Sequence, residues 1–385
     1  MDDIYTPRED SFLMLRNAQN YAKGRVLDMG TGSGIIALSL APKCEGITAV
    51  DINPVAVQIV KKAAKEQRLN VRAIRSDLFS KVKGKFDLIT FNPPYLPSDK
   101  RASDVALDGG RHGYEVLVRF LNDLNSHLKP EGIALILFSS LTMPEKVLES
   151  SRNNMLMETL LESMKLNFEE LYCYKLEKSE LLRVLERNGV HCLKLFAKGK
   201  RGLVYLGKKG KQGIGVKIKK PESRARLRLE NEAAVLRKIN AKGIGPKLLF
   251  AGKDFIAYKF AEGEYIKDYV LRQGRKDIIS ALKETFRQCF ILDKMKLTKE
   301  EMHRPLKHVI IGRNKVTLID FERGHYDRSP KNVTQFCQFI RTGRFAEALK
   351  NKKIFIDEAL LLSLAKDYKK QPTGKNFRRI RALLK

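Results

Sequence analysis

Four consecutive residues, Asn92-Pro93-Pro94-Tyr95, begin where an apolar run ends, and the stretch 86–92 predicts a buried strand. Proline cannot donate to a β-ladder, so the strand has to end there. The Asn92 amide can accept from and donate to a planar amide or amine, and the Pro93 carbonyl can take a second N–H. Tyr95 can stack on the flat group. This combination predicts a site that holds a nitrogen nucleophile in line with a methyl sulfonium, a catalysis by positioning.

A glycine-rich turn precedes this motif in the chain. It follows Asp28, and its glycines are Gly30, Gly32 and Gly34. Glycines let the backbone bend tightly and let a ligand approach the start of the next helix. The next two predicted strands end near Asp51 and Asp77. Asp51 stands where a carboxylate can accept both ribose hydroxyls of a nucleoside.

Two kinds of nucleoside compete for this turn. The spacing from Gly30 to Asp51 is about that of a dinucleotide-binding fold, which favours NAD. The motif at Asn92 favours instead a nucleoside that carries a transferable methyl group. One aspartate alone could be a helix N-cap, but acidic residues at successive strand ends indicate a ligand site.

Strand and helix patterns alternate over the first half of the chain. The apolar runs 25–30, 46–53, 71–77, 86–92 and 132–139 predict strands, with helix patterns between them. This alternation predicts an α/β fold with a Rossmann-like, doubly wound parallel sheet, whose ligands bind beyond the carboxyl ends of the strands. We expect the stretch 150–167 to form an enlarged helix before the last strands.

The net charge of +30 is unevenly spread. Residues 1–187 carry 26 Lys and Arg against 25 Asp and Glu, so the remaining 198 residues carry a net +29. Such an excess attracts phosphate backbones, although a lysine-rich solubilising surface is the alternative. The change of composition near Asn188-Gly189 predicts two domains, 1–187 and 191–385.

Length and cysteine content add bounds. A chain of 385 residues is long enough for two or three domains. Its five cysteines are scattered and never form a CxxC pair: Cys44, Cys173, Cys192, Cys289 and Cys337. This usage predicts reduced thiols in the cytoplasm and no zinc site. We expect all five to be small buried hydrophobic residues. No run of apolar residues predicts a signal peptide or a membrane span.

The first half resembles S-adenosylmethionine-dependent methyltransferases that act on planar nitrogens. The segments IYTPREDSFLML (4–15) and ALDGGRHGYEVLVRFL (106–121) are similar to two segments of the archaeal and eukaryotic HemK-type protein glutamine methyltransferases. The resemblance implies that Asn92 holds the substrate amide and that these residues line the cofactor: Ser11, Asp28, Gly30, Asp51, Asp77 and Leu78.

The same resemblance implies a substrate and a partner. The substrate would be the glutamine in the Gly-Gly-Gln loop of a class I release factor, and a small zinc-binding activator protein would assist. DNA and RNA amino-methyltransferases share the motif at Asn92, so a nucleic-acid acceptor gripped by the basic half is the alternative.

The second half opens with a glycine-punctuated hairpin. Gly199 and Gly202 lie between two strand patterns, as in a loop that covers phosphates, although the first glycine of G-x-G-x-x-G-x-V is absent. Lys217 lies on the next predicted strand, and Lys219, which alternates to the same face, is its rival. Glu232, on a predicted helix, could pair with Lys217; a solvated charged helix is the alternative.

A second acidic motif, VTLIDFERG (316–324), predicts a strand that delivers Asp320 as a metal ligand. Two registers are open for the catalytic loop before it. Aligning His303-Arg304 with H-R-D puts Pro305 at the catalytic position and implies an inactive kinase. Aligning Glu301 with the aspartate leaves nineteen positions to Asp320, which is nearer to the spacing of active kinases. We favour Glu301 as the hydroxyl-orienting carboxylate, with His308 near the second metal position.

Residues 191–385 thereby resemble minimal atypical kinases, namely the RIO family and the kinase of the KEOPS complex. The loop EMHRPLKH and the strand IDFER carry the resemblance. It implies an α+β protein-kinase-like fold that binds ATP with Mg²⁺. The sequence as a whole therefore predicts a methyltransferase fused to a basic kinase or pseudokinase that works near ribosomes or RNA. A nucleotide-gated ribosome-binding module without catalysis is the non-enzymatic alternative.

Overall fold

The computed structural model describes residues 6–94, 111–199, 202–220, 228–313 and 315–385. The chain divides into two units. The first comprises Met1–Leu195 and Lys208–Gly210, and the second comprises Phe196–Gly207 and Lys211–Lys385. Among the described residues, no helix combines the length and the apolar character that crossing a bilayer requires.

The first unit is built on a seven-stranded sheet in the order β3-β2-β1-β4-β5-β7-β6. Its strands are β1 (Arg25–Met29), β2 (Gly46–Asp51), β3 (Val71–Arg75), β4 (Phe86–Phe91), β5 (Leu128–Ser139), β6 (Leu156–Lys165) and β7 (Glu170–Lys178). Strands β1 to β5 pair in parallel, whereas β7 is antiparallel to both β5 and β6. The sheet is therefore mixed.

Helices cover both faces of this sheet. They are α1 (Glu9–Ala18), α2 (Ile35–Leu40), α3 (Pro54–Glu66), α4 (Glu115–His127), α5 (Pro144–Asn153) and α6 (Glu180–Arg187). Consecutive strand residues point to opposite faces, so Leu88 packs in one core with residues of α1, α2 and α3, while Ile89 packs in the other with α4 and α5. The start of α3 is fixed because the Asn53 side chain accepts from the Val55 N–H at 2.8 Å.

Two expectations about the first unit need correction. The sheet is not parallel throughout, because β6 and β7 close its edge as an antiparallel pair. The stretch 150–167 is also not one helix. Helix α5 ends at Asn153, and Met155 takes a positive φ of 56°, which breaks the helical path before β6 begins.

The remaining sheets are smaller. One has the order β11-β12-β10-β9-β8, one the order β13-β15-β16, and one pairs β14 with β17. The strands are β8 (His191–Lys198), β9 (Gly202–Lys209), β10 (Gln212–Lys219), β11 (Leu248–Ala251), β12 (Phe255–Lys259), β13 (Glu264–Tyr265), β14 (Leu297–Thr298), β15 (Val309–Ile311), β16 (Val316–Leu318) and β17 (His325–Tyr326).

Seven helices in the described residues accompany these strands. They are α7 (Arg228–Asn240), α8 (Ile266–Arg272), α9 (Arg275–Lys294), α10 (Asn332–Ile340), α11 (Gly343–Asn351), α12 (Glu358–Lys370) and α13 (Gly374–Ala382). One core cluster joins them, with Phe286 of α9, Phe336 of α10 and Tyr368 of α12 almost wholly buried. The cysteines are free; contrary to expectation, Cys192 is exposed and Cys44 is only partly buried.

Candidate functional site

The glycine turn lies between β1 and α2 and is held by backbone hydrogen bonds. Thr31 N–H donates to Val50 O at 2.9 Å, and Gly34 N–H donates to Thr31 O at 2.8 Å. Gly32 has a φ of 51°, and no atom of the described residues lies within 4 Å of the position that a Cβ would take there. The backbone at Gly32 therefore leaves room for a ligand, and the predicted role of this turn in cofactor binding stays a prediction.

Asp51, the last residue of β2, is fixed by two backbone donors. Its Oδ2 accepts from the Gly32 N–H and its Oδ1 from the Asn53 N–H, each at 2.9 Å. A carboxylate oxygen can accept more than one hydrogen bond, so both oxygens of Asp51 keep capacity for ligand hydroxyls. The side chain is thus held in place while its oxygens can still accept hydrogen bonds from a ligand.

Asp28, on β1, is buried beneath the turn. It accepts from the Thr31 hydroxyl at 2.7 Å and from the Thr90 hydroxyl at 2.8 Å. Burial raises the pKa of Asp28 to about 6, although these hydroxyls pull in the other direction. The sequence reasoning missed both threonines; the polar residue inside the glycine turn was the one signal for Thr31.

Asp77 and Leu78 follow β3 directly. The Asp77 carboxylate forms an ion pair with Arg119 of α4, with Nη2 and Oδ2 separated by 2.6 Å. Leu78 takes a φ of 44°, a conformation that L-residues rarely adopt, and it packs against the core on the α4 side. Arg119 therefore orients Asp77, a contact that the sequence reasoning did not foresee.

Asn92 follows β4, and its side-chain amide forms a hydrogen bond to Asp10. Its Nδ2 donates to Oδ2 of Asp10 at 2.7 Å, and its Oδ1 is buried with no hydrogen-bond partner among the described residues. One of the two N–H groups of Asn92 is therefore engaged by Asp10, and the expectation that Asn92 holds a substrate amide stays a prediction. Pro93 is buried beside it; Tyr95 lies outside the described residues.

Ser11 lies next to Asp10 at the start of α1. Its hydroxyl points to Oδ1 of Asp10 at 3.5 Å, and its side chain is buried. The predicted cofactor-lining role of Ser11 stays a prediction.

Comparison with known proteins places the first unit. Residues 9–160 match the sequence profile of the "Methyltransferase small domain" family. The chain is 39% identical over 175 residues to a candidate protein N5-glutamine methyltransferase of Methanocaldococcus jannaschii, covering 44% of this chain and 89% of that protein. This chain belongs to the HemK-type N5-glutamine methyltransferase family.

Two further proteins are similar to this chain. A release factor glutamine methyltransferase of Deinococcus radiodurans is 35% identical over 136 residues, which is 32% of this chain and 49% of that protein. A chain from the E. cuniculi Mtq2–Trm112 complex, responsible for methylation of the eRF1 termination factor, is 26% identical with a TM-score of 0.39 and covers 46% of this chain and 100% of that chain.

HemK-type membership implies S-adenosylmethionine as methyl donor, and the residues present fit it. The open backbone at Gly32 can admit a ligand, and Asp51 retains acceptor capacity for a ribose. Gly34 permits close helix packing, because a Cβ there would lie 2.7 Å from Cγ2 of Val60 on α3, and its predicted cofactor-binding role stays a prediction.

The second unit holds a cluster of charged groups around Lys217 of β10. Its Nζ lies 2.9 Å from Oε2 of Glu232, 3.0 Å from Oδ1 of Asp320 and 2.6 Å from Oε1 of Glu322. Burial lowers the pKa of Lys217, but the three carboxylates outweigh it and leave the pKa well raised. The rival Lys219 forms no ion pair among the described residues.

Lys299 connects Glu301 to this cluster. Its buried Nζ donates to Oε2 of Glu301 at 2.9 Å and also to the backbone oxygen of Asp320. The sequence reasoning missed Lys299, which had no signal beyond its place in a charged run. Its backbone N–H is held in turn by Oδ1 of Asn332 at 2.8 Å.

Asp320 and His308 lie near each other, but their side chains are too far apart for a hydrogen bond. Nδ1 of His308 lies 3.7 Å from Oδ2 of Asp320. Burial lowers the pKa of His308, and Lys299 acts in the same direction. Asp320 takes a φ of 65°, and the pKa of its carboxyl is lowered because Lys217 and Lys299 outweigh its burial.

The predicted glycine hairpin is partly described. Gly199 N–H donates to Gly202 O at 2.9 Å between β8 and β9, while residues 200 and 201 lie outside the described residues. A Cβ on Gly202 would lie 2.6 Å from the backbone oxygen of Ile218, so this glycine permits close strand packing. A phosphate-binding role for the hairpin stays a prediction.

The buried Asp28 makes the stability of the first unit depend on pH. A folded pKa of about 6, above the ordinary 3.8, means that folding favours the protonated carboxyl. Stability should therefore fall as pH rises through this window, by about 3 kcal/mol in full. Asp28→Asn should raise the thermal unfolding midpoint at pH 7.5 and lose this advantage near pH 4, measured by calorimetry.

A matched control is Asp123→Asn, the same change on the exposed side of α4. It should leave the unfolding midpoint unaltered at both pH values. If Asp28→Asn were no more stable than wild type at pH 7.5, the unfavourable ionisation of Asp28 would be refuted.

Proposed function

We propose that the first unit transfers a methyl group from S-adenosylmethionine to the side-chain N5 of a glutamine, in the Gly-Gly-Gln loop of a class I release factor. One observation carries the chemistry. The buried Oδ1 of Asn92 lacks a partner among the described residues and lies beside Pro93, at the edge where Asp51 and the glycine turn meet. A primary amide of the substrate supplies the missing donor.

Asn92 and Pro93 act by orientation. Each offers one oxygen, and together they can accept both N–H groups of a planar amide, which fixes the plane of its nitrogen. Bound S-adenosylmethionine supplies an electrophilic methyl group. Transfer would form an N–C bond as the S–C bond of the donor breaks, and the proton of the nitrogen would pass to water; Asn92 is not the base. Orientation of this kind removes a large part of the barrier.

The release factor is the acceptor that the relatives favour. The Deinococcus radiodurans relative is named for glutamine methylation of a release factor. We propose also that a small zinc-binding activator protein assists this chain. An exocyclic amine of RNA or DNA offers the same two N–H donors and is the acceptor to be excluded by experiment.

Asn92→Ala should abolish most methyl transfer and spare cofactor binding. Loss of a positioned acceptor costs on the order of a hundredfold in kcat. The measurement is transfer of labelled methyl to a class I release factor, with rRNA as the alternative acceptor. Asp51→Ala should instead weaken S-adenosylmethionine binding in calorimetry, because it removes the ribose acceptor.

Asp123→Asn again serves as the matched surface control. An Asn92→Ala variant with the wild-type rate would overturn the assignment of Asn92. Methylation of rRNA but not of the release factor would transfer the proposal to the nucleic-acid acceptor.

We propose that the second unit binds ATP with Mg²⁺ as a RIO-like kinase of weak activity. The Lys217–Glu232 pair supports this, since kinases use such a lysine on the phosphates and anchor it on a helix glutamate. The oxygens of Glu232, Asp320 and Glu322 lie within 4.8 Å of one another, a donor set that suits a hard cation. Glu301 reaches this cluster through Lys299.

Three variants separate binding from turnover in this unit. Asp320→Ala should abolish Mg²⁺-dependent ATP binding, because it removes the main metal ligand. Glu301→Ala should spare binding and abolish phosphate release from labelled ATP, because the hydroxyl loses its orienting carboxylate. Pro305→Ala should change neither. Wild-type turnover by Glu301→Ala would favour the Pro305 register and an inactive kinase.

We propose further that the basic half binds RNA or ribosomes. The last two helices, α12 and α13, support this with seven exposed cations, of which Arg379 pairs with Asp367: Lys366, Lys369, Lys370, Lys375, Arg378, Arg379 and Arg381. Counterion release makes binding by such a surface strongly dependent on salt. No base-reading element is required for this interaction.

The triple change Lys369→Ala, Lys370→Ala, Arg378→Ala should weaken rRNA binding by the full chain. It should also flatten the plot of log affinity against log salt by about two units, since each lost phosphate contact removes about 0.7. Fluorescence anisotropy over a salt series measures both effects.

The control triple lies on α3 of the first unit, at the exposed Lys61, Lys62 and Lys65. Changing these three lysines to alanine should leave the affinity for rRNA and its dependence on salt unchanged. Equal losses in both triples would refute a localised RNA surface.

A further inference from the structure

The contact between Asp10 and Asn92 joins two segments that are 82 positions apart in sequence. Asp10 lies in the first turn of α1 and its side chain is only 4% exposed. Leu13 and Met14 of the same helix are fully buried in the core, so α1 cannot shift easily. The carboxylate is therefore presented to Asn92 from a rigid element.

The direction of this hydrogen bond fixes the orientation of the amide. A carboxylate only accepts, so the nitrogen of Asn92 has to face Asp10, and Nδ2 lies 2.7 Å from Oδ2. The oxygen then faces away from Asp10, into a buried position with no partner among the described residues. Without Asp10, rotation by half a turn would exchange the two ends of the amide at little cost.

We infer that Asp10 is the positioning residue of the methyl-transfer site, and that it turns the Oδ1 of Asn92 toward the substrate as an acceptor. This inference rests on the proposed glutamine methylation, and it explains which acceptor groups the site selects. Asn92 Oδ1 and Pro93 O are both acceptors, so the site selects a nitrogen with two N–H groups. A carboxylate is rejected, because it brings oxygens against oxygens.

The same selectivity limits the reaction to one methyl group. A primary amide gives one N–H to Asn92 and one to Pro93, whereas the monomethylated product keeps a single N–H. One acceptor of the site would then stay buried and unpaired, which is unfavourable. The product is therefore released rather than methylated again.

The first test measures kinetics of the full chain with a class I release factor and S-adenosylmethionine. Asp10→Ala should lower kcat by on the order of tenfold to a hundredfold and leave the calorimetric affinity for S-adenosylmethionine unchanged. Asp10→Asn should lose less, because its own amide can still accept from Asn92 in one of two orientations. Asp123→Asn should behave as wild type.

The second measurement would not change if Asp10 had only a structural role. A release factor with glutamate in place of the Gly-Gly-Gln glutamine is used as an inhibitor. Wild type should bind the glutamate form more weakly than the glutamine form, and Asp10→Asn should narrow that preference because Asn92 can turn its nitrogen to the carboxylate. An unchanged preference, or a kcat loss matched by lost cofactor affinity, would overturn the inference.

The third measurement needs no substrate, so it separates failure of this inference from failure of the proposed function. In ¹⁵N-asparagine-labelled protein, the Asn92 side-chain N–H groups should exchange slowly with solvent and become fast in Asp10→Ala. Equal exchange in both proteins overturns the inference even if the release factor is methylated. Slow exchange lost in the variant sustains it even if the release factor is the wrong acceptor.

Discussion

The parallel pairing of β1 with β2 on one side and with β4 on the other is the constraint on which the proposed methyl-transfer site depends. In this register Met29 is opposite Val50 and Phe91, so the chain leaves all three strands at the same level. The glycine turn, Asp51 and Asn92 are therefore neighbours without any further device. A slip of one residue in β4 would turn Thr90 away from Asp28 and reverse every side chain of that strand.

The strand ends could be predicted from the sequence, but the contacts between distant segments could not. Glycine and proline mark strand ends locally, so the glycine turn and the end of β4 at Asn92 were readable from the chain. Contacts between distant segments were not readable, and Asp10 and Thr90 were missed for that reason. The segment now seen as β6 was also misread. Its apolar residues Leu156, Leu160 and Met164 recur every four positions, which suits a helix, but pairing with β7 decides the structure.

The second unit depends on a different balance. One buried ammonium, that of Lys217, lies among three carboxylates, so the cluster keeps excess negative charge. A nucleotide phosphate brought there without a cation would be repelled, which gives a physical reason for a divalent ion. The pair Lys217–Glu232 follows from strand and helix patterns. Lys299 does not, because nothing in a charged run distinguishes a buried lysine from a solvated one.

The two sites thus use charge in opposite ways. In the second unit, the proposed ATP and Mg²⁺ would contact the charged groups directly, whereas in the proposed methyl-transfer site Asp10 contacts Asn92 rather than the substrate. A carboxylate in contact with the acceptor nitrogen would accept its N–H more strongly, but a carboxylate is itself a nucleophile toward an electrophilic carbon. Placing it behind an amide keeps that oxygen away from the methyl group. The hydrogen bond still polarises the Asn92 amide, so that Oδ1 becomes a better acceptor for the substrate.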